Sequence, residues 1–234
     1  MCGRYTNTRG PEEIERHFGL RIPGDVGTGR YNVAPTEEVL AIIAPHGEPE
    51  MRVLRWGLVP QWSAEAGRSA YKMINARLEG IARNATYGRL IARPQRRALQ
   101  VADGWYEWLK PEKPREPRQP FRFSVDGGAL FAFAAIWTAA RIADEQWLRT
   151  VALLTCDAGP NPLAASIHHR MPVVLADRDA QQAWLDPGVG TDEALSLCGA
   201  LPEARTAVLP ANPAVNSVEA PEGPDLLVAP ARGG

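Results

Sequence analysis

A cysteine directly follows the initiator methionine in Met1-Cys2-Gly3-Arg4, and trimming of that methionine would leave Cys2 as the first residue. Its α-amine and thiol, with ordinary pKa values of about 8 and about 8.5, are then both partly nucleophilic at neutral pH. Such a terminal 1,2-aminothiol captures an aldehyde in two steps. The amine condenses to an imine, and the tethered thiol closes a five-membered thiazolidine on the same carbon. Closure is fast because the second nucleophile has already lost its encounter entropy. An internal cysteine has no amine to offer. Standing alone, a cysteine at position 2 is also simply a small residue, so the other residues must decide.

Glu107 sits among large aromatics in Trp105-Tyr106-Glu107-Trp108. A carboxyl in an aromatic surround is desolvated, its pKa rises, and it can serve as a general acid near neutral pH. The other reading is a carboxylate on the wet face of a half-buried strand. His168 and His169 are adjacent, beside Arg170 and just before Met171-Pro172. Neighbouring histidines are poorly placed to share one metal ion, so one of them is expected to act as an acid or base instead. In Met73-Ile74-Asn75-Ala76-Arg77-Leu78-Glu79, alternate residues of an extended segment would turn Asn75, Arg77 and Glu79 to one side. Taken alone, that segment is also an ordinary polar loop. Trp56 and Trp62 flank a Gly and a Pro, and either fills the core or offers a platform for an unstacked base.

The composition narrows the class. With 45% hydrophobic and 23% charged residues, the 234-residue chain has the balance of an ordinary soluble globular protein, expected as one domain with a short tail from about residue 230. No apolar run approaches the roughly 18 residues of a membrane span, and no basic-then-apolar leader opens the chain, so a cytoplasmic location is expected. Cys2, Cys156 and Cys198 form no CxxC and suggest neither a disulfide framework nor a zinc ribbon. Phosphate-loop and dinucleotide fingerprints are missing too, so no cofactor is expected. Net charge is only −1, yet between Arg68 and Arg97 eight basic residues face one acid, Glu79. That arginine-rich stretch is either a polyanion-binding surface or a solvated basic face.

The elements that must hold these residues follow from local pattern. Pro11-Glu12-Glu13 opens a short helix with Ile14, His17 and Phe18 on one face. Val39–Ala44 and Met51–Val59 read as a hairpin turned at Pro45 and Gly47, and Ala98–Trp108 reads as one strand. Residues 80–93 are predicted as a helix stopped by Pro94, and residues 110–120 as a mobile charged hairpin loop. Phe121–Val125 and Ala129–Trp137 are strands separated by Asp126-Gly127-Gly128, Arg149–Cys156 is another, and Asp177–Leu185 and Thr191–Ala200 are helices.

Taken in order, Met1-Cys2-Gly3-Arg4-Tyr5, Arg30-Tyr31-Asn32-Val33-Ala34-Pro35, Trp56-Gly57-Leu58-Val59-Pro60 with Trp62, Ile74 to Glu79, Ala102 to Trp108, Ile167 to Pro172 and Val215-Asn216 resemble the SRAP family. These SOS-response-associated peptidase domains act on abasic sites in DNA. The resemblance runs from residue 1 to about 230. It implies a single α+β domain whose antiparallel strands curl into a barrel-like core with peripheral helices. It also implies a covalent link between Cys2, once Met1 is removed, and the ring-opened aldehyde of an abasic site in single-stranded DNA, by Schiff-base chemistry of lyase type. A peptidase activity toward Met1 belongs to the same picture.

By motif position, Cys2 would be the nucleophile, Asn75 would hold the sugar and the α-amine, Glu107 would assist ring opening and His168 would move protons. Arg4 and Arg77 would grip phosphates, while Asn32, Pro35 and Trp62 would line the DNA channel, with Trp62 stacking on a base. The resemblance further implies a monomer associated with the nucleoid, without metal, cofactor or membrane. His169 stands where relatives commonly have an acid, and Ser63 where some have a second tryptophan. Two rival readings use the same residues: a thiol peptidase with Cys2 and His168, and a noncatalytic single-strand binding module.

Overall fold

The computed structural model describes residues 2–24, 28–60, 62, 73–111, 113, 117–141 and 146–230. Among these residues, thirteen strands run in chain order: β1 (Arg4–Asn7), β2 (Arg30–Val33), β3 (Glu38–Ile43), β4 (Glu50–Trp56), β5 (Asn75–Arg77), β6 (Arg97–Ala102), β7 (Gly104–Trp108), β8 (Pro120–Val125), β9 (Phe131–Arg141), β10 (Trp147–Asp157), β11 (Arg170–Pro172), β12 (Val174–Leu175) and β13 (Thr206–Pro210). The described residues also form five short helices: α1 (Pro11–Phe18), α2 (Tyr87–Ile91), α3 (Pro162–Ala165), α4 (Arg178–Leu185) and α5 (Thr191–Ser196).

Unbroken apolar runs mark strands covered on both faces. Phe131 to Thr138 on β9 and Thr150 to Cys156 on β10 are buried throughout, and these two strands form the back of a closed barrel. Its order is β10, β4, β3, β6, β9 and back to β10. Every pairing in the ring is antiparallel except β4 with β10, which run parallel through Arg55 and Trp56. The expected α+β architecture with a barrel-like core is the one observed. A second, all-antiparallel sheet, ordered β13, β8, β7, β1, β2, lies against it.

Aromatic rings join the two sheets. Tyr5 of β1 meets Trp56 and Phe133 of the barrel edge-on at 5.4 and 5.8 Å, and Trp105 of β7 stacks on Phe123 at 4.9 Å while its edge faces Phe133. Ring pairs in these geometries add about 0.5–1.5 kcal/mol beyond the area they bury. These contacts dock β1 and β7 on the barrel, and both strands border the candidate site.

Three local expectations change. Ala98–Trp108 is two strands, because the chain crosses from barrel to second sheet at Asp103. That buried carboxylate accepts the Thr6 hydroxyl at 2.5 Å, the Thr8 amide at 3.0 Å and the Thr8 hydroxyl, which fixes the crossing. Residues 80–93 are not one helix: Ile81–Arg83 form a 3₁₀ turn and α2 begins only at Tyr87. Asn84 separates them, its side-chain oxygen accepting the Thr86 and Tyr87 amides, a local bond that competes with helix continuation. In α1, Ile14 and Phe18 are buried but His17 faces out. As expected, Asp126, Gly127 and Gly128, all at positive φ, separate β8 from β9, and the two strands pair in different sheets. Part of the 110–120 loop, residues 112 and 114–116, lies outside the described residues, as do Arg68 and Lys72 of the basic stretch.

Candidate active site

Strand β10 is long enough to deliver partners on both edges. Leu153, Leu154 and Thr155 pair with Asn75, Ala76 and Arg77 of β5, continuing the edge that β4 vacates. On the other edge, Thr155, Cys156 and Asp157 pair with Pro172, Met171 and Arg170 of β11. Asn75 and the segment following His168 therefore flank one strand end. From the second sheet, Arg4 lies opposite Tyr106, so the chain running back to Cys2 passes beside Glu107.

Cys2 is fully buried. The Asn75 amide donates to its main-chain carbonyl at 2.8 Å, and its thiol points to the Arg4 carbonyl at 3.7 Å. Burial, with the nearby Glu107 charge adding to it, pushes the Cys2 thiol far above its ordinary range. Cys156 and Cys198 are likewise raised by burial, to about 11 and about 12. No thiol environment here favours a thiolate, so what sets Cys2 apart is its place in the chain.

Glu107 is 3% exposed, which removes the wet-face reading. Burial pushes its carboxyl up to about 7, placing both protonation states within reach at neutral pH. His168 is half-buried and its pKa is lowered, chiefly by that burial. Its Nδ1 lies 3.0 Å from the Arg170 amide nitrogen and 3.1 Å from the Arg170 carbonyl oxygen. A neutral ring accepts from the amide, and a protonated ring donates to the carbonyl. The imidazole thus keeps a partner in either state without turning. His169 stacks on it at 4.4 Å and is exposed.

The structure brings Cys2, Asn75 and Glu107 together with His168 at the same strand end. Arg4 donates to the Asn32 side-chain oxygen at 2.7 Å and to the Val215 carbonyl at 2.6 Å, while Asn32 donates to the Ser217 carbonyl at 2.8 Å. These two residues tie β1 and β2 to the returning tail, so Val215, from the motif near the end of the chain, sits beside the first residues. Pro35 is half-buried just past β2, and Arg77 is exposed at the end of β5. Trp62 is 76% exposed, with Arg89 and Arg93 lining a neighbouring cleft of about 170 Å³. Trp56, by contrast, is core, its indole N–H donating to the Ile74 carbonyl.

The basic stretch divides. Arg77, Arg83, Arg89 and Arg93 face solvent, whereas Arg97 is fully buried and donates to the Val189 carbonyl at 2.9 Å. Two supporting residues were not legible as such from the sequence. Arg170 pairs with Glu79 at 2.8 Å and donates to the Thr155 carbonyl at 2.6 Å, locking β11 and the end of the Asn75 segment to β10. The Tyr87 hydroxyl donates to the Asn75 carbonyl at 3.2 Å. The His168-His169-Arg170 run hinted at the first; nothing local marks Tyr87. Among the described residues, no three His, Cys, Asp or Glu side chains are grouped to hold a metal, and no helix is long and apolar enough to cross a membrane.

Comparison with known proteins now decides the family. The model of the family described as SOS response associated peptidase (SRAP) matches residues 1–218. The chain belongs to the SRAP family. Abasic site processing protein YoaM of Bacillus subtilis (strain 168) is 34% identical over 196 residues, 80% of each chain. Abasic site processing protein YedK of Escherichia coli (strain K12) is 28% identical over 234 residues, covering 97% of this chain and 99% of YedK. A crystal structure of a protein from Bacteroides thetaiotaomicron superposes with a TM-score of 0.85 over 98% of this chain and all of that one, at 20% identity, and so shares the fold. Within this SRAP chain, Cys2, Asn75, Glu107 and His168 lie where β1, β5, β7 and the segment before β11 approach one another, whereas Trp62 stands at a separate cleft.

Proposed function

We propose that this SRAP protein, after loss of Met1, captures abasic sites in single-stranded DNA as a thiazolidine on Cys2, shielding them in the DNA damage response. The observation that carries the reading is the Asn75 clamp on the Cys2 carbonyl beside a buried Glu107. The names of the YoaM and YedK relatives support abasic-site processing as the task. Residues 1 to about 230 act as one domain, as a monomer on nucleoid DNA in the cytoplasm.

Protonated Glu107 gives its proton to the sugar ring oxygen as the C1′–O4′ bond breaks, and the C1′ hydroxyl loses its proton to leave an aldehyde. The Cys2 amine adds to C1′, water leaves, and an imine forms. The thiol then adds to the same carbon while its proton passes to the nitrogen. One water is released in all, and nothing is oxidised or reduced. His168 carries protons between these groups, using the two Arg170 backbone partners. Asn75 fixes the main chain of Cys2 so that its amine faces the sugar. Arg4 and Arg77 bear on flanking phosphates, Asn32 and Pro35 shape the channel, and Trp62 stacks on a base.

The raised thiol pKa disfavours the rival thiol peptidase, which needs a thiolate paired with an imidazolium. In the proposed route the amine acts first and a protonated thiol is no obstacle. A general methionine aminopeptidase is one way to remove Met1 and expose Cys2, and a self-cleavage step is an alternative source. The test is incubation of Met1-processed protein with a single strand carrying one abasic site. A heat-resistant shifted band of adduct mass is expected. Cys2→Ala, protein with an extra N-terminal residue, and protein with a blocked α-amine should each give none. Persistence of the band in any of these overturns the reading.

A further inference from the structure

At the end of the barrel remote from Cys2, the β3–β4 turn, the start of β4 and the Arg141–Trp147 end of the β9–β10 ladder enclose a cleft of about 410 Å³. Directly opposed residues of an antiparallel pair share a face, as do alternate residues of each strand. Arg149 lies opposite Ala139 and Val151 opposite Trp137, so Trp147, Arg149 and Trp137 look to one side. The Arg96 guanidinium covers the Trp137 ring at 4.6 Å, and the Trp137 indole N–H is taken by the Gln95 carbonyl, so Trp137 forms a closed floor. Trp147 is different: 60% of it is exposed. From β4, Arg52 pairs with Glu50 at 2.6 Å, and the charge of Arg149 also bears on Glu50. Among the described lining residues, three arginines stand against one carboxylate, a formal charge of +2 with His46 neutral.

A bare indole framed by arginines is what a sequence-tolerant single-strand site requires. Each base offers a ring face to stack, and each phosphate takes a guanidinium. We propose that this cleft is a second contact for single-stranded DNA, with a base on Trp147 and neighbouring phosphates on Arg149 and Arg52. The proposal rests on the single-stranded DNA reading above and extends its footprint. Protein interfaces also favour Trp and Arg, but two features favour a nucleic acid here. The net charge is positive, and Trp147 stands on the same strand whose Leu153 pairs with Asn75, six residues or about 20 Å further on. Between those two ends β10 is covered on both faces, so a single strand has to pass over the outside of the barrel for about that distance to reach both.

The test follows crosslinking at limiting protein on five-nucleotide and twenty-five-nucleotide single strands, each with a central abasic site, for wild type and for Trp147→Ala/Arg149→Ala. Both residues are exposed, so the variant keeps its core. Loss of one stacked base and one phosphate contact should lower the second-order rate constant about tenfold on the long strand and leave the short one unchanged. The salt dependence of binding to an undamaged long strand should also weaken, its logarithmic slope shrinking by about 0.7. An unchanged rate on the long strand overturns the proposal and leaves the cleft to a protein partner. Equal losses on both lengths overturn it as well, since they place the effect in the lesion site. Failure of the parent reading looks different: wild type would crosslink neither strand, while undamaged long DNA would still register the Trp147 and Arg149 change.

Discussion

The side-chain amide of Asn75 reaches from the barrel to the main-chain carbonyl of Cys2 at 2.8 Å, fastening the chain terminus of one sheet to a strand of the other. A nucleophile at a terminus is otherwise free to fray. One well-placed hydrogen bond is worth about 1 kcal/mol, enough to hold one orientation of the terminal residue over its competitors. Asn75→Ala should therefore slow crosslinking about tenfold, with a melting temperature within a few degrees of wild type. A Leu substitution of similar size should be as slow. Rate constants from quenched gel time courses decide this, and an unimpaired Asn75→Ala removes the clamp from the mechanism.

In the proposed mechanism Glu107 sets the pH dependence. As an acid with a pKa of about 7, it loses its useful proton above neutrality, while the α-amine, with an ordinary value of about 8, gains its free pair in the same range. The capture rate should pass through a maximum near pH 7.5. Glu107→Gln should lower it by roughly 10²-fold or more and convert the bell into a monotonic rise that levels above about pH 8. An unchanged bell in the variant would assign the alkaline limb elsewhere.

The same carboxyl weakens the fold. Its pKa in the folded chain, about 7, lies above its ordinary 4.5, so between those values the unfolded chain holds fewer protons and stability falls as pH rises. The loss from this group is about 3 kcal/mol, complete above pH 7 and absent below about 4.5. Thermal melts should show Glu107→Gln more stable than wild type at pH 8 and no more stable at pH 4.5. Stability gained where activity is lost is the usual mark of a functional site.

In the proposed mechanism His168 moves protons, so its removal should change rates and not end points. His168→Gln should slow both adduct formation and adduct reversal by roughly 10²-fold. The final yield at long times should match wild type. Chasing a preformed adduct with excess aldehyde trap measures the reversal, and a change in yield without a change in rate would contradict the role.

Asp103 has no part in the chemistry, yet it fixes the crossing that brings β7 and Glu107 to the site. Asp103→Ala leaves the Thr6 and Thr8 donors without their acceptor in a buried place, which should cost about 3 kcal/mol by denaturant titration. Crosslinking by the folded fraction should stay within a few-fold of wild type.

Much of this protein was legible in its residues. The Cys2 position, the motif order and the long apolar strands β9 and β10 follow from local pattern, because burial on both faces demands an unbroken run and because a terminal aminothiol is defined by covalent sequence alone. The burial of Glu107 was half legible: aromatic neighbours suggested desolvation, but whether the side chain faced water or core was a matter of which sheet its strand joined.

Only the tertiary structure decided the rest. Arg97 belongs to the basic stretch in sequence, yet turns inward to Val189, while Trp56 and Trp62 are alike on paper and opposite in burial. Asn75 meets Cys2, and Arg4 meets Asn32 and Val215, across separations of up to 211 residues. Side-chain type and spacing along a strand fix what a residue can do and which neighbours share its face. What it meets is settled by long-range strand pairing and close packing, and a local stretch of chain carries no record of either.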